Sequence, residues 1–106
     1  RDAAAALEAA LARGEEPVEV PAGVMELRLP ALRGIGGSLI YLVDRYDGRA
    51  DGDNTSIYDI DFVYEPGVER HPAGAGLLTI DHLTHNVYRG RMAHWSAFYE
   101  RVFGFR

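Results

Sequence analysis

Four histidines, His71, His82, His85 and His94, are the side chains most apt to ligate a metal. His82 and His85 stand three positions apart. On a helix that spacing puts both imidazoles on one face, near enough to share a metal; on a strand, where the side-chain period is two, it sends them to opposite faces. The surroundings are strand-like, so Ile80, His82 and Thr84 fall on one side and Thr79, Asp81 and Leu83 on the other. A given pocket then receives only one of the pair. Pattern alone leans towards a core histidine satisfied by a backbone partner and leaves a metal ligand open. His71 lies beside Pro72 in a loop-like stretch, and His94 falls off the apolar stripe of its own segment, so neither stands out.

The carboxylates offer less. Asp59 and Asp61, two apart on one strand face, are a possible acid–base or metal pair, but a solvated strand face explains them more simply. Asp47, Asp51, Asp53 and Asn54 suggest a calcium loop. The required alternation fails at Arg49, and the closing glutamate of a loop counted from Asp51 falls on Phe62. Gly34-Ile35-Gly36-Gly37 lacks the third glycine of a dinucleotide fingerprint and leads into a strand rather than a helix, so it reads as a turn. No serine or threonine has a nucleophile-elbow setting.

These residues need elements to hold them. Residues 2–13 are alanine-rich, with Leu7 and Leu11 one turn apart and Gly14 as a stop, which predicts a helix. Val18 to Val20, between Pro17 and Pro21, is extended. Met25, Leu27 and Leu29 alternate with Glu26 and Arg28, predicting a half-buried strand. Leu39 to Val43 suits a buried strand. The Asp/Gly/Asn-rich stretch from Asp47 to Ser56 is an exposed loop. Ile57 to Tyr64 alternates again and predicts another strand. Pro66, Gly67, Pro72, Gly74 and Gly76 mark a linker over 65–76. Leu77 to Leu83 reads as a strand, and Met92 to Phe103 as a helix with Trp95, Phe98, Tyr99 and Val102 on one stripe. The expected class is α+β: one βαβββ module missing its first strand, joined to the opening βα of another.

With 106 residues, the chain can build one small core. It has 11 basic against 16 acidic residues, a formal charge of −5, and no basic cluster. That balance repels phosphate backbones and anionic lipid, so neither nucleic acid nor a membrane is an expected partner. No apolar run approaches the roughly 20 residues that span a bilayer. The absence of cysteine excludes disulfides and thiolate chemistry and fits a reducing compartment, so the expected location is cytoplasmic. The chain opens at Arg1 without methionine and stops at Arg106 directly after an amphipathic segment; both ends read as interruptions of a longer protein.

One block is more specific than the patterns around it. Gly76-Leu-Leu-Thr-Ile-Asp-His82-Leu-Thr-His-Asn-Val, with Trp95 and Phe98-Tyr99 downstream, closely resembles the start of the catalytic domain of bacterial 4-hydroxyphenylpyruvate dioxygenases. Arg33-Gly-Ile-Gly-Gly-Ser-Leu-Ile-Tyr41 and Ser56-Ile-Tyr-Asp-Ile-Asp-Phe62-Val-Tyr resemble the same family. The alanine-rich helix and the Asp/Gly loop resemble it least. The resemblance implies vicinal-oxygen-chelate, glyoxalase-like βαβββ modules. It divides the chain into residues 1–64, the end of the N-terminal domain; 65–76, a linker; and 77–106, the first strand and helix of the catalytic domain.

The resemblance also implies a non-haem Fe(II) held by two histidines and one glutamate, with open positions for a chelating 2-oxo acid and dioxygen. His82 matches the first of those ligands, and Thr84, on the same face, would line the substrate pocket. The implied reaction is oxidative decarboxylation of the 2-oxo acid, ring hydroxylation and side-chain migration, giving homogentisate in tyrosine breakdown. The other two ligands match nothing in this chain. One imidazole is a weak site for Fe(II), so the chain alone is expected to be catalytically silent. Its last helix needs cover for Trp95, Phe98, Tyr99 and Phe103, either from the upstream helix and strands or from a second copy, which makes a homo-oligomer the expected outcome. Two alternatives remain: part of a fusion protein with 3-dehydroshikimate dehydratase activity, or a non-catalytic chelate-fold binding module with His82 in its core.

Overall fold

The structure is a computed structural model, and it describes residues 2–46, 55–70 and 72–106. His71 and most of the Asp/Gly loop, with its calcium-loop candidates, lie outside the described residues.

Helix α1 spans Ala3–Ala12. Alanine sets its propensity, and Asp2 caps its start: the carboxylate accepts from the Ala5 amide at 2.9 Å. Asp44 reaches the Ala3 amide at 3.4 Å, tying the start of α1 to the far end of the sheet. Gly14, with φ of 87°, turns the chain away. Of the two leucines, only Leu7 packs on the core, while Leu11 is 38% exposed. Ala10 makes the close contact instead.

Strands β1 (Pro17–Val18), β2 (Ala31–Arg33) and β3 (Leu39–Tyr41) form an antiparallel sheet in the order β1-β2-β3. Leu32, at the centre of β2, pairs with Pro17 on one side and Ile40 on the other and is 0% exposed. The β2–β3 connection is the glycine turn expected from the sequence. The Gly34 amide donates to the Ser38 carbonyl at 2.8 Å, and Gly36 and Gly37 take φ of 66° and 83°, where a side chain would be strained.

Three expected strands do not form. Over 25–29, Met25 sits at φ 71° in a turn, and the Glu26 carboxylate takes the Gly23 amide at 2.6 Å. The Asp61 carboxylate takes the Leu27 amide at 2.9 Å. These carboxylates compete with a ladder for the local amides and hold a turn in place; the strand starts only at Ala31, after Pro30. Over 57–64, Ile57–Ile60 is a short helix, α2, instead. Its start is fixed by Asp59, whose carboxylate accepts from the Ser56 amide at 3.0 Å and hydroxyl at 2.9 Å. Asp59 and Asp61 are thus capping and bracing groups, not an acid–base pair on a strand. Over 77–83 the chain is irregular and solvated, with Leu77 92% and Leu78 94% exposed. A strand needs a neighbour to complete its hydrogen bonds, and none pairs with this segment among the described residues.

Helix α3 spans Met92–Phe103 as expected and ends at Gly104, in the left-handed region. It packs back on the upstream elements. Phe98 and Val102 join Ala10 and Leu32 in the core, with Leu7, Ile40, Trp95, Tyr99 and Phe103 against them. The two helices also cap each other. The Arg13 guanidinium donates to the Val102 carbonyl at 2.8 Å, and Arg101 donates to the Arg13 carbonyl and pairs with Glu15. Each cation sits where the other helix's terminal carbonyls concentrate negative charge.

Candidate functional site

An open cavity of about 780 Å³ lies beside α3. One wall is the helix, through Trp95, Tyr99 and Phe103; Leu39 and Ile40 from β3 and Ile35 from the β2–β3 turn add to it. The facing wall is the irregular segment ahead of α3, which contributes Leu83, His85 and Val87. Those are alternate residues. Without a strand partner the segment still keeps a period of two, with odd positions turned to the cavity and even positions away from it.

His82 and Thr84 are therefore on the solvent side. The His82 side chain is 76% exposed, and its Nδ1 lies 2.6 Å from an Asp81 carboxylate oxygen. An imidazole held at Nδ1 presents Nε2 outwards, which is how a carboxylate orients a metal-bound histidine. Thr84 is exposed and lies outside the cavity lining. His94 is exposed and meets Trp95 edge-on at 5.1 Å between ring centroids.

Among the described residues, no three or more histidine, cysteine, aspartate or glutamate side chains come together to hold a metal. His82, with Nδ1 engaged, fits one imidazole position of a mixed histidine–carboxylate site and does not complete such a site.

The pair that the structure does bring together is His85 and Tyr99. The Tyr99 hydroxyl lies 3.2 Å from His85 Nδ1, and the rings are 5.8 Å apart. Burial of Tyr99 raises its phenol above the usual tyrosine value. The hydroxyl thus stays protonated and shares a hydrogen bond with the His85 imidazole. Tyr99 is itself braced by aromatic neighbours: Phe98 at 5.2 Å, Phe103 at 5.8 Å and Phe105, stacked, at 5.5 Å.

Sequence reasoning put His85 on the face opposite His82, which is where it lies, but saw no partner for it. Tyr99 was read as part of an apolar stripe, and nothing in a stripe reveals that one member's hydroxyl meets a histidine fourteen residues upstream. The arginine exchange between helix ends was also missed. Basic residues in the last turn of each predicted helix were the available signal.

The family model described as "Hydroxyphenylpyruvate dioxygenase, HPPD, N-terminal" matches residues 1–63. The whole chain is 57% identical to a 4-hydroxyphenylpyruvate dioxygenase of Pseudomonas sp. (strain P.J. 874), covering 28% of that protein. It is 48% identical to the enzyme of the same name from Pseudomonas aeruginosa, again over 100% of this chain and 28% of the relative. A 3-dehydroshikimate dehydratase of Pseudomonas aeruginosa is more distant: 39% identical over 99% of this chain and 15% of its own length. The chain thus spans a little over a quarter of the dioxygenases it matches. Identity of 57% over the full chain, joined to a family match over more than half the residues, settles the lineage: the chain belongs to the hydroxyphenylpyruvate dioxygenase family.

Proposed function

We propose that this chain is a segment of a 4-hydroxyphenylpyruvate dioxygenase that converts 4-hydroxyphenylpyruvate and dioxygen to homogentisate and carbon dioxide in tyrosine catabolism. The observation that carries the reading is identity over the full chain, including the His82 block, to relatives bearing that name. The lower identity of the dehydratase puts the fusion-protein reading behind it. Residues 1–64 are then the end of the N-terminal domain, 65–76 the connector and 77–106 the opening of the catalytic domain.

In the parent enzyme His82 is the first ligand of a non-haem Fe(II), completed by a histidine and a glutamate outside this chain. The bound metal would activate the 2-oxo acid and dioxygen together. What these residues contribute is narrower. His82 supplies one neutral imidazole, and Thr84, on the same face, borders the substrate. The 106 residues alone supply too few ligands to turn over. No described helix is long and apolar enough to cross a membrane, and the lack of cysteine is consistent with a cytoplasmic enzyme.

The test is His82→Ala in the full-length parent. Iron content, measured after dialysis, should fall well below one per chain, and homogentisate formation should fall with it. A variant that keeps stoichiometric iron and wild-type turnover would remove His82 from the metal site.

A further inference from the structure

We propose that the contact of α3 with α1 and β2 is a holding contact. It covers the apolar stripe of α3 until the strands that α3 packs on in the parent enzyme are present, and it is given up when they arrive. The inference rests on reading residues 77–106 as the first strand and helix of a catalytic domain.

The single apolar stripe of α3 has two claims on it. Consecutive elements of a chain pack together, and a helix that follows a strand lies back over the sheet containing that strand. In the parent, the sheet opened by residues 77–83 is therefore the partner of α3. In these 106 residues the segment pairs with no described strand, and Leu77, Leu78 and Ile80 stand in water. The stripe is covered elsewhere: Phe98 and Val102 are 6% and 3% exposed, packed with Ala10 of α1 and Leu32 of β2. One face of a helix cannot lie on both surfaces, so the two arrangements exclude each other.

The contact has the makings of a temporary one. It seals Phe98 and Val102, while Trp95, Tyr99 and Phe103 are only partly buried and border the open cavity. Its polar bonds run along the edge, from Arg13 to the Val102 carbonyl and from Arg101 to Glu15, with about half of the Arg101 side chain in water. Bonds so placed orient a helix end and add little to its stability. A sheet that covers the whole stripe buries more apolar surface and outcompetes them. Before that sheet exists the contact has a use. Synthesis runs from the N-terminus, so α1, β1–β3 and α3 precede the later strands, and an uncovered aromatic stripe at that stage would draw chains together.

Arg13→Met and Glu15→Gln test this, because both lie outside α3 and leave its stripe intact. In the 106-residue chain each should loosen α3 and increase the binding of a hydrophobic dye. In the full-length parent, diluted out of urea, each should lower the soluble yield about threefold, the effect of losing one partly exposed hydrogen bond on the docked population. The molecules that do refold should keep the wild-type thermal midpoint, iron content and turnover. A lowered midpoint in the refolded variants would show that the contact persists in the finished enzyme, and the proposal would fail. Unchanged dye binding in the short chain, or an unchanged soluble yield in the parent, overturns it equally. Yield is scored by sedimentation rather than by activity, which keeps the two readings apart. A wild-type parent that makes no homogentisate would remove the proposed reaction, and the yields would still decide whether α3 is held.

Discussion

Tyr99 meets two demands, an apolar seat and a hydrogen bond, and its ionisation would break both. Burial disfavours the phenolate, so the folded-state pKa lies above the ordinary 10.0. A group whose pKa is raised on folding contributes stability that is complete below its unfolded value and is lost as pH rises through the folded one. Alkaline unfolding of α3 is therefore expected to set in above about pH 10. Trp95, the single tryptophan, sits against the same core and reports it by fluorescence. Tyr99→Phe should move that transition to higher pH; an unmoved transition would mean another group drives it. At this scale the sequence was partly legible. His82 stood out because its neighbours match a known block, whereas the His85–Tyr99 contact depends on how α3 folds back, which no local pattern encodes.

Elements with their own start and stop signals could be read directly. Asp2 and Gly14 bound α1, Gly104 ends α3, and the paired glycines close the β2–β3 turn. Two of the three misread segments share one cause. Alternating apolar residues over 25–29 and 57–64 imitate strands, but the Glu26, Asp59 and Asp61 carboxylates accept from the Gly23, Ser56 and Leu27 amides and hold the chain in a turn and a short helix instead. The link between α1 and α3 was not legible at all, because it joins residues 88 and 89 positions apart. Arg101→Met should lower stability by about 1 kcal/mol, discounted for the partial exposure of the pair. Arg13→Met should do the same. Because both bonds hold the same two helix ends together, the double variant is expected to lose less than the sum. Urea midpoints of the four proteins measure this, and strict additivity would show that the bonds act independently.

Across the whole molecule, apolar surface is unevenly covered. One compact cluster around Leu32 is sealed, whereas Leu77, Leu78, Ile80 and Leu83 stand in water in a single short stretch. Exposed apolar runs of this kind associate with whatever apolar surface is available. The isolated 106-residue chain is expected to sediment as a concentration-dependent mixture and to bind a hydrophobic dye. Leu78→Lys with Ile80→Lys should shift it towards monomer; a chain that is already monomeric would show the stretch to be harmless. The α+β class followed from the order of segments, but the way α3 closes the core did not. That closure depends on which faces are left uncovered once the sheet forms.

The exchange of arginines between helix ends also bears on what a protease would leave behind. Trypsin should cut first at Arg70, Arg89 and Arg91, which lie in the exposed, irregular stretch, and more slowly at Arg13 and Arg101, whose guanidiniums are engaged. A cut at Arg89 or Arg91 severs α3 from everything before it without touching the surface that α3 shares with α1 and β2. The two pieces would then stay together without a covalent link and co-elute under native conditions, and mixing them after separation would restore the fold.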